Sequence, residues 1–140
     1  MKAAVVTGVS SGIGNATSRA LLDRGYHVFG SVRREADAAP LAEAYPGKFL
    51  PLVFDVTDTA AIEAAARLVS ERIGNAYLSG LVNNAGIGIS GPVLLQPMDE
   101  IRKHFDINVL GPISVVRAFA GMLGGDEGAN FGVIFAAGRG

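Results

Sequence analysis

The sequence predicts an α/β fold, a doubly wound parallel sheet with helices on both faces, and three observations carry that expectation. Short β-rich runs alternate with longer segments of helical period, as in successive βα units rather than hairpins. A cluster of glycines follows the first of those runs directly, where a strand must turn into a helix. The 140 residues are 49% apolar and 18% charged, which suits a packed interior and argues against disorder. One domain over 1–140 is the natural expectation at this length.

The strands are expected at Ala3 to Thr7, His27 to Val32, Phe49 to Phe54, Leu78 to Val82 and Val133 to Phe135. Each is short and bounded by glycine or proline, and all are expected to be buried on both faces, as strands of a parallel sheet usually are. After the first strand, Ile13, Ala16, Ala20 and Leu21 recur at helical spacing. Pro40 suits the first turn of a brief helix between the second and third strands, where its missing N–H costs nothing. Ile62, Ala65, Ala66, Val69 and Ile73 lie on one face of a covering helix. Ile101, Phe105, Asn108 and Val109 repeat the pattern after the fourth strand, with polar Asn108 interrupting the stripe.

From Ile113 to Leu123 there are two apolar stripes, Ile113, Val116, Ala120 and Leu123 beside Val115, Ala118, Phe119 and Met122. Such a helix needs cover on two sides. The run from Gly124 to Gly128 has the composition of a surface turn before the last strand.

Composition also narrows function. With a net charge of -1 and basic residues scattered along the chain, neither nucleic acid nor an anionic membrane is an expected partner. There are no cysteines, and the two histidines, His27 and His104, stand far apart, so neither disulfides nor a metal site is expected. The amino terminus lacks the apolar run of a signal peptide or membrane span, which points to a cytoplasmic protein.

Chemistry concentrates at the glycine turn, Gly8, Val9, Ser10, Ser11, Gly12, Ile13 and Gly14. A helix start offers unpaired amides and a partial positive charge, so the pyrophosphate of a dinucleotide is its natural occupant. The run TGVSSGIG resembles the signature of the short-chain dehydrogenases/reductases. Further matches follow in that family's order: Asp55, Val56 and Thr57 as its DVT, Asn83, Asn84, Ala85 and Gly86 as its NNAG, and Asn108 within DINVLG. The resemblance covers essentially the whole chain and implies a Rossmann-like sheet of order 3-2-1-4-5, with the cofactor over the carboxyl ends of the strands. It implies cofactor contacts from Gly8, Ser10, Ser11, Gly12, Ile13, Gly14, Asp55 (toward the adenine), Val56, Asn83, Ala85 and Gly86. Standing alone, Asp55 would serve equally well as a helix cap or turn residue.

The choice of dinucleotide is made at the end of the second strand, where an acid about 20 residues beyond the glycine turn receives a ribose 2′-hydroxyl and arginine receives a 2′-phosphate. The sequence there is HVFGSVRRE, with Ser31 in place of the acid and Arg33 and Arg34 after it. NADP is therefore expected over NAD, although Glu35 and Asp37 weaken the positive field.

The family's catalysis resembles a relay of Asn, Ser, Tyr and Lys, in which the tyrosine is the acid and the lysine lowers its pKa. Only Asn108 matches, and by itself it reads better as a helix-bending or hydrogen-bonding residue. Tyr26, Tyr45 and Tyr77 all precede the NNAG run and none is followed by Lys four positions on; the sole serine after Asn108 is Ser114; and Ala137, Gly138 and Arg139 stand where a serine belongs.

The chain thus reads as truncated relative to the family after about the fifth strand, and inactive by itself. A homo-oligomer is expected through the helix at 113–123, which in relatives lies at a subunit interface, and through the open sheet edge. Two alternatives stay open, a non-catalytic NADP-binding or oligomerisation module, and a carbonyl reductase or alcohol dehydrogenase completed by another chain. The strand HVFGSVRR and the loop NNAGIGISGP are similar to those of steroid- and retinol-type reductases, a likeness at the level of the fold that names no substrate.

Overall fold

Parallel pairing organises the chain around five strands: β1 (Ala3–Val6), β2 (His27–Val32), β3 (Phe49–Val53), β4 (Leu78–Asn83) and β5 (Gly132–Phe135), in the order β3-β2-β1-β4-β5. The computed structural model describes residues 1–88, 90–124 and 132–135. β1 lies at the centre, with Ala3 opposite His27 of β2 on one side and Leu78 of β4 on the other. The chain moves outward from β1 to β3 and then returns to β4, so the order reverses between β1 and β4, and a crevice opens there at the carboxyl ends.

The helices are α1 (Gly12–Asp23), α2 (Ala39–Ala44), α3 (Thr59–Ile73), α4 (Met98–Phe105) and α5 (Gly111–Phe119). A π-helical turn, Asp106–Leu110, joins α4 to α5, and a 3₁₀ turn, Ala120–Met122, follows α5. Two cores result, one on each face of the sheet. Val5, Phe29, Leu52 and Leu81 face α3 and α5, whereas Val6, Val28, Val32 and Val82 face α1 and α2. The alternation along each strand separates the two sets.

The strand predictions hold to within one residue at each end, but burial on both faces does not hold for β3. As an edge strand it leaves Val53 49% exposed. The stripe expected on α3 is buried at all five positions, and the Asp58 carboxylate caps that helix by accepting from the Ala61 amide at 3.0 Å. The stripe expected on α1 is not the buried one. Gly14, Ser18 and Leu22 face the sheet instead, because the helix approaches the turn so closely that only small side chains fit at its first two contact positions.

The stripe after the fourth strand also faces differently from the expectation. No residue of α4 is buried, and Phe105 and Val109 lie on the surface. Of the two stripes from 113 to 123, Val115 and Phe119 are fully buried in the core shared with α3, while Ile113 is 48% exposed. By length and composition the run Met98–Met122 could cross a membrane, yet Val115 and Phe119 pack as core residues of the sheet's own layer. The turn expected from Gly124 to Gly128 falls, after Gly124, outside the described residues, as do Ala137, Gly138 and Arg139.

Candidate cofactor site

The crevice at the switch point is a cleft of about 440 Å³. Its floor is the turn between β1 and α1, and that turn is built by close backbone approach. Gly8 adopts φ 69° and Gly12 φ 59°, a left-handed conformation open to glycine at little cost. A Cβ on Gly8 would come within 2.9 Å of the Ala85 Cα, and one on Gly14 would overlap the Gly8 carbonyl and the Asn84 side-chain amide.

Hydrogen bonds then tie the turn to both neighbouring strands. The Thr7 hydroxyl oxygen accepts from the amides of Asn84 (3.0 Å) and Ala85 (2.9 Å), and the Asn84 side chain donates to the Gly8 carbonyl at 2.9 Å. On the other side the Gly8 amide donates to the Ser31 hydroxyl at 3.0 Å, and the Val9 amide to the Ser31 carbonyl at 3.0 Å. What the turn leaves free is the start of α1. The first-turn amides of a helix have no intrahelical acceptor, and Ser11, at the cap position, supplies no side-chain bond. These amides and the open space above Gly12 fit an anionic group.

Most of the residues singled out in the sequence border this cleft: Gly8, Ser10, Ser11, Gly12, Ile13, Ser31, Arg33, Asp55, Val56, Ala85 and Gly86. Four do not, and each has a physical reason. Gly14 lies beneath the turn, where its missing Cβ permits the helix to approach. Arg34 turns aside to Asp37, with Nε–Oδ2 at 3.2 Å. Asn83 is 3% exposed at the end of β4, and its side-chain polar atoms find no hydrogen bond, a feature that nothing in the described residues explains. Asn108 points at the loop after β4, where its Oδ1 accepts from the Ile87 amide at 2.8 Å and its Nδ2 donates to the Ile87 carbonyl at 2.7 Å. Ser31 borders the cleft, but its hydroxyl is already engaged by Gly8. It props the turn as an acceptor while lining the cleft.

The Asn108 bonds explain the polar break in the helical stripe. Asn108 lies within the π-helical turn and holds the NNAG loop to it. Gly86 permits the approach, since a Cβ there would sit 3.1 Å from Asn108 Oδ1.

The far wall carries the charges. Asp55 follows β3, and its Oδ1 accepts from the Thr57 amide (2.9 Å) and hydroxyl (2.7 Å). Those two bonds, with smaller contributions from the Arg33 and Lys103 charges, hold its carboxyl below the usual aspartate range despite partial burial. Lys103 and Ile107, one turn apart on the helical run after β4, complete that wall together with Ile87 and Gly88. Ile87 and Gly88 continue the NNAG loop, whereas no motif marked Lys103 and Ile107, which reach the cleft only through the path of the chain after β4.

The family model of the short chain dehydrogenases matches residues 2–136. The chain belongs to this family of oxidoreductases. It is 41% identical over 131 residues to an NADPH-dependent 3-dehydrocapnine reductase of Ornithobacterium rhinotracheale, across 94% of this chain and 46% of that protein. It is 37% identical over 135 residues to retinol dehydrogenase 16 of Rattus norvegicus, across 96% of this chain and 43% of that protein. The chain therefore spans a little under half the length of these curated relatives.

Among solved structures, a short-chain dehydrogenase from Streptomyces avermitilis superposes with TM-score 0.81 at 36% identity, over 86% of this chain and 45% of that one. An NADPH-bound carbonyl reductase from chicken fatty liver gives TM-score 0.80 at 28% identity, over 87% and 51%. The parallel order read from the sequence, 3-2-1-4-5, is the order observed.

Proposed function

We propose that this cleft binds NADP(H), with NAD(H) disfavoured, and that these 140 residues bind the cofactor without turning it over. The observation that carries the reading is the pairing, in one cleft, of a helix start with unpaired amides and a cation, Arg33, that has no ion-pair partner among the described residues. The pyrophosphate belongs over Gly12 and Ile13, and the 2′-phosphate at Arg33. Asp55 and Val56 border the adenosine end, and Ala85 and Gly86 the floor toward the nicotinamide. When bound, the cofactor supplies hydride chemistry; the protein holds and orients it. The two NADPH-named proteins among the similar ones support the phosphorylated form.

Absence of turnover rests on the sequence, which has no Tyr-x-x-x-Lys. Asn108, with both side-chain amide groups engaged by Ile87, is a positioning residue for the loop. Calorimetric titration with NADP and NAD, followed by an assay on a panel of ketones and alcohols, tests both statements. Binding of NADP about tenfold tighter than NAD without turnover is the expected result; equal affinity, or turnover by this chain alone, overturns the corresponding half.

A second reading, an enzyme completed by another polypeptide, is favoured by one surface. Phe105, Leu110 and Ile113 are 60%, 54% and 48% exposed along one helical run, an apolar face suited to a partner or to a second copy of this chain. Turnover that appears only on adding a polypeptide with the missing tyrosine and lysine would establish it. A monomer by light scattering at micromolar concentration would count against self-association.

A further inference from the structure

One flank of α1 carries a polar ladder outside the cleft. Asn15, Arg19 and Asp23 stand at i, i+4 and i+8, so they share one side of the helix. At its start the Asn15 Nδ2 donates to the Val9 carbonyl at 3.1 Å, reaching back past Ser10 to Gly14 and closing the glycine turn on itself. One helical turn on, Arg19 Nε donates to Asn15 Oδ1 at 3.0 Å, so the Asn15 carboxamide is engaged at both atoms. The Arg19 guanidinium carbon lies 5.9 Å from the centre of the Tyr45 ring, within reach of a cation–π contact. The Tyr45 hydroxyl in turn donates to Asp23 Oδ1 at 2.8 Å.

Tyr45 belongs to a different element, the one that begins at the arginine loop. Arg34 precedes the 3₁₀ turn Glu35–Ala38, α2 follows without a break, and Tyr45 ends it. Ala38 and Leu41 seat this element in the same core as Val9, with Tyr45 packed at its margin. Arg33 stands at the near end and borders the cleft. The ladder therefore joins the turn that faces the pyrophosphate to the far end of the element that leads from Arg33. Rigid elements pinned in this way carry a displacement from one end to the other.

We propose that Asn15, Arg19 and Tyr45 are positioning residues that fix the spacing between the glycine turn and Arg33, and so set the preference for the phosphorylated dinucleotide from outside the cleft. None of the three lines it. A pyrophosphate and a 2′-phosphate are parts of one ligand, so a change in that spacing costs one contact when the other is kept. A dinucleotide without the 2′-phosphate is indifferent to the spacing. The inference rests on the cofactor reading above and adds to it the residues that hold Arg33 in register.

The test is calorimetric titration of the full chain with NADP and with NAD, in the parent, Tyr45→Phe, Arg19→Met and the two combined. Tyr45→Phe keeps the ring and removes only the hydroxyl, and Arg19→Met keeps a good helix former. Arg19→Lys, which keeps the charge and loses the planar fork, repeats the cut where Arg19→Met does not fold. Each single variant should weaken NADP about threefold, the loss of one modest interaction, and leave NAD within about 1.5-fold. Because both cut one ladder, the double variant should bind NADP about as the singles do, where independent sites would give about ninefold. Asn15→Ala also opens the turn and should weaken both dinucleotides; NAD binding unchanged there overturns the link to the turn. Additive losses in the double variant overturn the inference. Equal weakening of NADP and NAD by Tyr45→Phe does the same, since it marks a bond that serves the fold alone. A parent that prefers NADP while the variants match it overturns the inference and leaves the cofactor reading standing, whereas a parent that binds neither dinucleotide, or both equally, overturns the two together.

Discussion

The glycine turn after β1 and the arginine loop after β2 border the same cleft and are built on opposite terms. At the turn, the groups that fix its shape have partners inside the protein, and only the amides at the start of α1 are left free: Thr7 holds two amides, Asn84 holds the Gly8 carbonyl, and Ser31 receives the Gly8 amide. At the loop, Arg34 closes on Asp37 while Arg33 stays open to the cleft. On the proposed reading the turn serves folding and binding at once, and damage to it should register in both; the loop would serve binding alone, and its loss should be silent in stability.

Gly14→Ala should have the largest effect, because the new methyl collides with backbone at the Gly8 carbonyl as well as with Asn84. Overpacking of this kind costs about 2–3 kcal/mol, read as a lower denaturation midpoint with cofactor binding lost alongside. Thr7→Val comes next. It removes the acceptor of two inward amides and should cost about 2 kcal/mol, whereas Thr7→Ser, which keeps the oxygen, should recover most of that in the same unfolding experiment. A Thr7→Val protein as stable as the parent would show that the turn is less constrained than its hydrogen bonds indicate.

Across the cleft the comparison reverses. Arg33→Ala should weaken NADP binding about tenfold, near 1.4 kcal/mol, and leave both the denaturation midpoint and NAD binding unchanged. Arg34→Ala should change NADP affinity by less than about twofold, since an exposed pair such as Arg34–Asp37 contributes little. If the two substitutions act alike, the division of labour between the arginines is wrong.

The smallest effect concerns pH. The pKa of Asp55 is lowered on folding, first by the Thr57 amide and then by the Thr57 hydroxyl. A depressed folded pKa means that the carboxylate stabilises the protein fully above the unfolded aspartate value, about 3.9, and that this contribution fades as pH falls through the lower folded value. Asp55→Asn should be slightly less stable than the parent at pH 7, with the gap closing as the solution is acidified below pH 4. A gap that stays constant across that range would remove the charge from the account.

How much of this was legible in the sequence follows from which forces leave a linear trace. The stripe of α3 could be read because a helix packing at ordinary distance buries apolar side chains at a fixed period, and Ile62, Ala65, Ala66, Val69 and Ile73 all lie inward. The α1 stripe misled, since a helix seated on a glycine turn buries its smallest residues, Gly14 and Ser18, and hydropathy ranks those low. The glycine spacing marked the floor of the cleft, but it could not show that the Ser31 hydroxyl also accepts from the Gly8 amide or that Arg34 pairs with Asp37. Side-chain direction decides both, and strand position alone does not. Lys103 and Ile107 come to the cleft from a helix joined to β4 by a long loop, a juxtaposition no local pattern records. Asn108 was visible as an interruption, and its partner, the Ile87 peptide, required the fold.

The central claim is that the helix start and Arg33 hold one phosphorylated dinucleotide between them. Amide and guanidinium NMR shifts on adding NADPH test this most directly. The account predicts saturable changes at the amides of Gly12, Ile13 and Gly14 together with the Arg33 side chain, and a shift at Arg33 that largely disappears when NADH replaces NADPH. Shifts that leave those amides untouched, or that move Arg33 equally with both cofactors, would contradict it.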